Sequence, residues 1–267
     1  MEIGILGPLT ARLGRTSVVP SAGKPRQVLA LLALRSGTKV PVETLFHELW
    51  SYDPPRSAAT TLQTYILQLR RMLAKGLAPD GTCPKTLLRT QYNGYLLDVP
   101  VEQTDAARFD RLREAGQSAL RAGDCATAAI QLRAALDLWR GPAMADLQLG
   151  EILSIEAIQL EENRLSTIDD RISADLGLGR HASLIGELAS LTARHPMHQN
   201  LHAHYMLALY RCGRASNALD VYRRLHGTLV ESIGLEPSPK LQRLHHAMLN
   251  ADPQLDVVER QPDLARL

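Results

Sequence analysis

The 267-residue chain is 45% hydrophobic and 22% charged, a composition that suits two ordinary globular domains and excludes a disordered or fibrous protein. It lacks any run of about 18 uninterrupted apolar residues, and its start, MEIGILGPLT, lacks the basic-then-apolar order of a signal peptide, so a cytoplasmic protein with no membrane partner is expected. Net charge is only +2, but residues 1–99 hold 12 Lys and Arg against 6 Asp and Glu, and the remainder 18 against 22, so the N-terminal part is cationic and the rest anionic. Such a division points to a polyanionic partner for the N-terminal part, because each neutralised phosphate releases counterions.

Short β-like runs around Ile3–Leu6, Ala11–Leu13 and Ser17–Val19, separated by Gly-Pro and Gly-Arg turns, predict a small antiparallel sheet. A first helix is predicted from Pro25 through Val28, Leu31, Leu32 and Leu34 to a stop at Gly37. A second starts at Pro41 and sets Val42, Leu45, Phe46, Leu49 and Trp50 on one buried face. After Asp53-Pro54-Pro55 a third carries TLQTYILQLRRML (61–73), with Leu62, Ile66, Leu69 and Leu73 inward and Tyr65 and Trp50 expected in the core. On a wheel of about 100° per residue, Thr60, Thr64 and Arg71 fall within about 20° of the pole opposite Leu62, with Ser57, Gln68 and Lys75 beside them. Short polar side chains let a helix lie deep in a major groove, where Gln, Thr and Arg meet base edges or phosphate. Taken alone, the pattern also suits an ordinary amphipathic helix facing water. The next segment, TLLRTQYNGYLLDV, reads as a β-hairpin turning at Asn93-Gly94, both of which tolerate positive φ. Three helices and a hairpin make a winged helix-turn-helix arrangement, in which the third helix enters the major groove and the wing touches the adjacent backbone.

From Asp105 onwards helical spacing dominates, broken at Gly123, Gly141-Pro142, Gly177 to Gly179, His195-Pro196, Gly213 and Glu236-Pro237. LGRHASLIGEL (178–188) aligns with CGRASNALDVY (212–222), placing Gly179 and Gly213 34 residues apart, the tetratricopeptide (TPR) period; AGDCATAAIQL (122–132) is a less regular copy. Ala128 and Ala218, a few positions after the glycines, allow close helix approach. The expected fold is mainly α: an N-terminal winged helix over 1–100, an all-α TPR-like domain over 101–252, and a loosely ordered tail over 253–267. The usual work of such a solenoid is to contact another protein.

Both parts together resemble the Streptomyces antibiotic regulatory proteins, transcriptional activators of actinobacteria. GILGPLTA (4–11), GKPRQVLALLAL (23–34), LFHELW (45–50), TLQTYILQLRRML and NGYLLDV (93–99) are similar to that family's OmpR-like DNA-binding domain. RHPMHQNLHAHYMLALYRCGRASNALDVYRRL (194–225) and IGLEPSPKLQRLHHAML (233–249) are similar to its bacterial transcriptional activation domain. The resemblance implies an activator of a secondary-metabolite gene cluster. It would bind direct repeats of double-stranded promoter DNA near the −35 region as a head-to-tail dimer, recruit RNA polymerase holoenzyme through sigma and other subunits, and associate with the nucleoid when bound. It places Thr60, Thr61, Thr64, Gln68 and Arg71 on the DNA-facing side of the recognition helix. Lys24 and Arg26 at the first helix, with Arg89 and Asn93 on the wing, then match backbone-contacting positions. Arg56, which opens a cationic run to Tyr95 of six basic residues and one acid, Asp80, is also expected to contact DNA, and Arg70 is expected to meet phosphate or an acidic neighbour.

Other chemistry finds little support. His198 and His202 stand at i, i+4 as two zinc ligands would, but lack an obvious third ligand and read as packing and capping residues. Cys83, Cys125 and Cys212 form no CxxC pair. GxxxxGK[ST], GxGxxG and GxSxG are all missing, so neither a cofactor nor an enzyme is expected. The alternative function is a TPR-type adaptor that binds protein and not DNA.

Overall fold

The computed structural model describes residues 1–77 and 83–255. The chain divides into two compact units, one of residues 1–115 with 131–167, the other of residues 116–130 with 168–267.

In the first unit β1 (Glu2–Gly4), β2 (Thr10–Leu13) and β3 (Thr16–Ser17) form the antiparallel sheet expected, in that order, with Ile3 opposite Ala11 and Arg12 opposite Ser17. Three helices follow: α1 (Gly23–Leu34), α2 (Val42–Trp50) and α3 (Ala58–Gly76). A short helix α4 (Pro84–Leu87) then leads into a hairpin of β5 (Leu88–Gln91) and β6 (Gly94–Leu97). Ahead of α2 lies a strand the sequence did not signal: β4 (Lys39–Pro41) pairs with β6, giving a second sheet of order β4-β6-β5. The hairpin is as expected, but its turn is shifted by one residue. Gln91 pairs with Gly94, so the loop is Tyr92-Asn93, and only Asn93 of these residues takes positive φ, at 50°. Gly94 is needed for another reason: a Cβ there would lie 2.6 Å from the Val40 carbonyl oxygen of β4.

The core of this unit joins the winged helix to later helical segments. Leu31, Leu32, Leu45, Leu62, Ile66 and Leu69 are buried in one cluster with Phe109, Trp139, Met144 and Leu153. Phe109 belongs to α5 (Asp105–Arg121), and Leu153 to the first part of α7 (Glu151–Gly177). Phe109 and Trp139 meet edge to face at 5.5 Å. Carboxylates from these segments satisfy backbone donors of the connection between β1 and β2. Asp105 accepts from the N–H groups of Ile5 (2.8 Å) and Leu6 (3.1 Å), and Asp146 from that of Leu9 (2.7 Å). In the other direction the buried Glu48 of α2 accepts from the N–H groups of Gly150 (2.7 Å) and Leu153 (2.9 Å) at the start of α7. There an acid also complements the helix dipole. Burial raises the Glu48 pKa above its ordinary value, against the opposing pull of these N–H groups.

The second unit takes in the start of α6 (Cys125–Leu136) and the end of α7, with α8 (His181–Arg194), α9 (Gln199–Arg211), α10 (Ala215–Ile233) and α11 (Pro239–Leu249). Met206, Leu209, Ala218, Val221, Leu225, Leu229, Leu241 and Met248 make its core. The three sequence repeats share one backbone device. Gly123, Gly179 and Gly213 sit at φ 78°, 75° and 73°, and in each case the following N–H turns back to the carbonyl five residues earlier: Asp124 to Ala119, Arg180 to Asp175, Arg214 to Leu209. This left-handed helix stop favours glycine because a Cβ is strained there. The segment expected as a tail begins with a 3-10 turn, Pro253–Leu255, whose Leu255 carbonyl accepts from Arg211 Nε at 2.8 Å. Residues 256–267, and Asp80 of the cationic run, lie outside the described residues. Among the described residues no helix is long and apolar enough to cross a membrane.

Candidate nucleic-acid interface

The candidate surface is built on α3, whose 19 residues span about 28 Å. Ala58, Leu62, Ile66, Leu69 and Leu73 are each at most 4% exposed, so the apolar stripe fixes which face remains outside. Thr60, Thr64, Arg71 and Lys75 are exposed, and Thr61 and Gln68 half-buried along its flank. Thr64 donates its hydroxyl to the Thr60 carbonyl at 3.0 Å, which leaves its oxygen lone pairs outward. From Arg56 to Leu77 the chain contains no acid, and no side chain caps the N-terminus of α3, so the helix dipole there adds to the cationic field. Arg56, Arg71 and Lys75 have no ion-pair partner among the described residues. Gln63 and Leu67, outside the set expected from the sequence, are also exposed, Leu67 at 48%. Leu67 falls at about 140° on the same wheel, so position alone places it outside although its chemistry suggested the core.

The wing is held against this helix by Arg70. Its Nε and Nη2 donate to the Leu88 carbonyl at 3.0 and 2.8 Å, and Nη2 also to the Thr90 hydroxyl at 2.8 Å. Arg70 was expected to meet phosphate or an acid; instead main-chain and hydroxyl oxygens of β5 take it. On the wing, Arg89 donates to Asp98 at 3.0 Å, both about half exposed, a geometry in which an ion pair contributes little and yields readily. Asn93 and the 95%-exposed Tyr92 form the tip. Behind them burial pushes the Tyr95 phenol pKa up, against the nearby Arg70, so Tyr95 stays neutral.

The two α1 residues are engaged elsewhere in this structure. Lys24 donates to the Leu49 carbonyl at 3.2 Å and lies 4.9 Å over the Trp50 ring. Arg26 forms a close ion pair with Asp146. Trp50 and Tyr65 pack on the core, as read from the sequence. Among the described residues no group of three or more His, Cys, Asp and Glu is placed to hold a metal. His198 accepts from the Leu201 N–H at 3.3 Å, capping α9; the buried His202 donates from Nδ1 to the His198 carbonyl at 3.1 Å. Cys83, Cys125 and Cys212 are free thiols.

A winged helix with an acid-free outer helix face, continued by helical hairpins, defines a transcription regulator of winged-helix type. Residues 17–97 match the family described as transcriptional regulatory protein, C terminal, and residues 104–249 the bacterial transcriptional activator domain. The chain is 52% identical over 257 residues to the regulatory protein DnrI of Streptomyces peucetius, covering 96% of this chain and 94% of DnrI. It is 35% identical over 256 residues to the regulatory protein AfsR of Streptomyces coelicolor, covering 96% of this chain but only 25% of AfsR. The solved structure of Mycobacterium tuberculosis EmbR in complex with a low-affinity phosphopeptide matches 94% of this chain and 65% of that one, with a TM-score of 0.88 and 34% identity. The chain belongs to the Streptomyces antibiotic regulatory protein family of transcriptional activators.

Proposed function

We propose that the protein binds promoter DNA sequence-specifically and activates a secondary-metabolite gene cluster by recruiting RNA polymerase. The observation that carries this is the outer face of α3: cationic, acid-free and short-chained over a buried leucine stripe. In this reading Thr60, Thr61, Thr64, Gln68 and Arg71 meet base edges in the major groove, and Leu67 offers an apolar contact of the kind that thymine methyl groups take. Arg56 and the N-terminus of α3 grip phosphate, and Asn93 and Arg89 touch the neighbouring backbone. Lys24 reaches phosphate with its remaining donors, whereas Arg26 must exchange Asp146 for DNA to do so. Two protomers occupy direct repeats head to tail near the −35 element. The helical segment docks on polymerase holoenzyme, through sigma and other subunits, and the protein works in the cytoplasm on the nucleoid. No enzymatic role is assigned to it. Domain limits of 1–100 and 101–252, as the sequence suggests, describe the division of labour and not of packing.

The test is a binding titration on fragments of the candidate promoters at several salt concentrations. Three phosphate contacts per protomer give a slope of log affinity against log salt near about −2.7, or about a 40-fold loss from roughly 50 to 200 mM. Flat or missing binding favours the protein-only adaptor. Transcription in vitro from a bound promoter then tests activation.

A further inference from the structure

Within the second unit a groove of about 310 Å³ opens between α8, α9 and α10. Its apolar wall is Ala189, Ala193, Val221 and Leu225. Its volume is at the lower end of the range of about 300–1,000 Å³ typical of small-molecule sites. Thr192 and Thr228 also line it, but each donates its hydroxyl to a carbonyl of its own helix, Leu188 at 2.7 Å and Arg224 at 2.9 Å. Three other polar groups on the lining keep hydrogen-bonding capacity that no group among the described residues takes up. Arg224 has no ion-pair partner among the described residues, and the Tyr205 hydroxyl has no hydrogen-bond partner among them. His202 is 8% exposed and spends Nδ1–H on the His198 carbonyl, which leaves Nε2 as a bare acceptor. Burial lowers the His202 pKa, and the charges of His198 and Arg224 act in the same direction against the opposing hydrogen bond to the His198 carbonyl, which favours the neutral ring with that acceptor. A cation, an acceptor and a hydroxyl facing an apolar wall are what a small ligand of matching chemistry requires.

We infer that this groove binds a small amphipathic organic acid, its anionic head on the Arg224 guanidinium, its apolar body against Ala189, Ala193 and Val221, and a hydroxyl or amide donor toward His202 Nε2. The occupant is a small molecule and not a polypeptide because the cavity is confined to a single inter-helix cleft and holds one cation without an ion-pair partner among the described residues. Nothing in this depends on DNA binding.

The probe is 8-anilino-1-naphthalenesulfonate, titrated by fluorescence into the full chain, with octanoate and octanol as competitors. Saturable binding at one site is expected, displaced by octanoate and much less by octanol. Ala193→Trp fills the cleft and abolishes this binding. Arg224→Gln, at an exposed side chain without an ion-pair partner among the described residues, weakens octanoate about 10- to 100-fold, the usual loss for a charged hydrogen bond, and leaves octanol unchanged. Circular dichroism and thermal melting check that both variants fold; should Ala193→Trp not fold, Arg224→Gln decides alone. The inference is overturned by the lack of saturable binding, by equal binding in parent and variants, or by octanol competing as well as octanoate. It is equally overturned if a polymerase-derived peptide and not octanoate responds to Arg224→Gln.

Discussion

Glu48→Ala removes two acceptors in one step. The side chain is 2% exposed and holds the N–H groups of Gly150 and Leu153 at 2.7 and 2.9 Å, fastening α2 of the winged helix to the start of α7. A buried N–H stripped of its partner costs about 1–3 kcal/mol, so the pair costs about 2–6. Part is recovered, because a carboxylate no longer has to be kept in a dry site, the burial that raises its pKa above 4.5. A net loss of about 2–3 kcal/mol is expected, large against a domain stability of about 5–15. Both tryptophans, Trp50 and Trp139, belong to this unit, so urea unfolding followed by tryptophan fluorescence reports it selectively. The pH dependence adds a sign. The folded carboxyl holds its proton more tightly than the unfolded one, so this group's contribution is complete below its unfolded pKa and declines as pH rises through the raised folded value. Glu48→Gln lacks that decline, so the difference between Glu48→Gln and the parent moves in the variant's favour from about pH 4 to pH 7. A Glu48→Ala midpoint equivalent to less than about 0.5 kcal/mol of change, with no pH trend in the Gln variant, refutes the reasoning.

Arg71→Ala is expected to cost about 1–3 kcal/mol of operator affinity and to relax preference at one base position; equal weakening on every sequence reassigns it to phosphate. Arg70→Ala frees β5 from α3, so affinity falls on all DNA sequences alike and amide exchange quickens in residues 88–91; unchanged exchange defeats the brace. A fragment of residues 1–101 loses Phe109, Trp139, Met144 and Leu153 from its core, each contributing about 1.5–3 kcal/mol of burial, and should melt well below the full chain while retaining weak DNA binding without activation. Differential scanning calorimetry and transcription in vitro check it, and full stability or full activation of the fragment contradicts it.

Most of the architecture was legible because it is written in local periods. Leu62, Ile66, Leu69 and Leu73 repeat at helical spacing, and the outer face of α3 follows by subtraction. The helix ends at Gly123, Gly179 and Gly213 show because a left-handed stop selects glycine. What stayed hidden is long-range. β4 has three residues, too few to show alternation, and its partner β6 lies more than 50 positions onward. Asp146, which occupies Arg26, is 120 residues away. The acceptor for Arg70 is mainly a backbone carbonyl, and a carbonyl has no side-chain signature. Gly94 was read as a turn residue when the constraint on it comes from the Val40 carbonyl of another strand. Charge counting suffered for the same reason, since it could not tell cations occupied within the protein from those open to a partner.

The helix stops at 179 and 213 carry a consequence for how such a chain can be edited. Each leaves its helix with the same glycine φ, 75° and 73°, and the same returning hydrogen bond. The stretch between them is thus a cassette whose two seams match, and a duplicate spliced in after Cys212 meets a junction the backbone already accommodates. Length in this part of the molecule can grow by whole units, without redesign of the residues on either side.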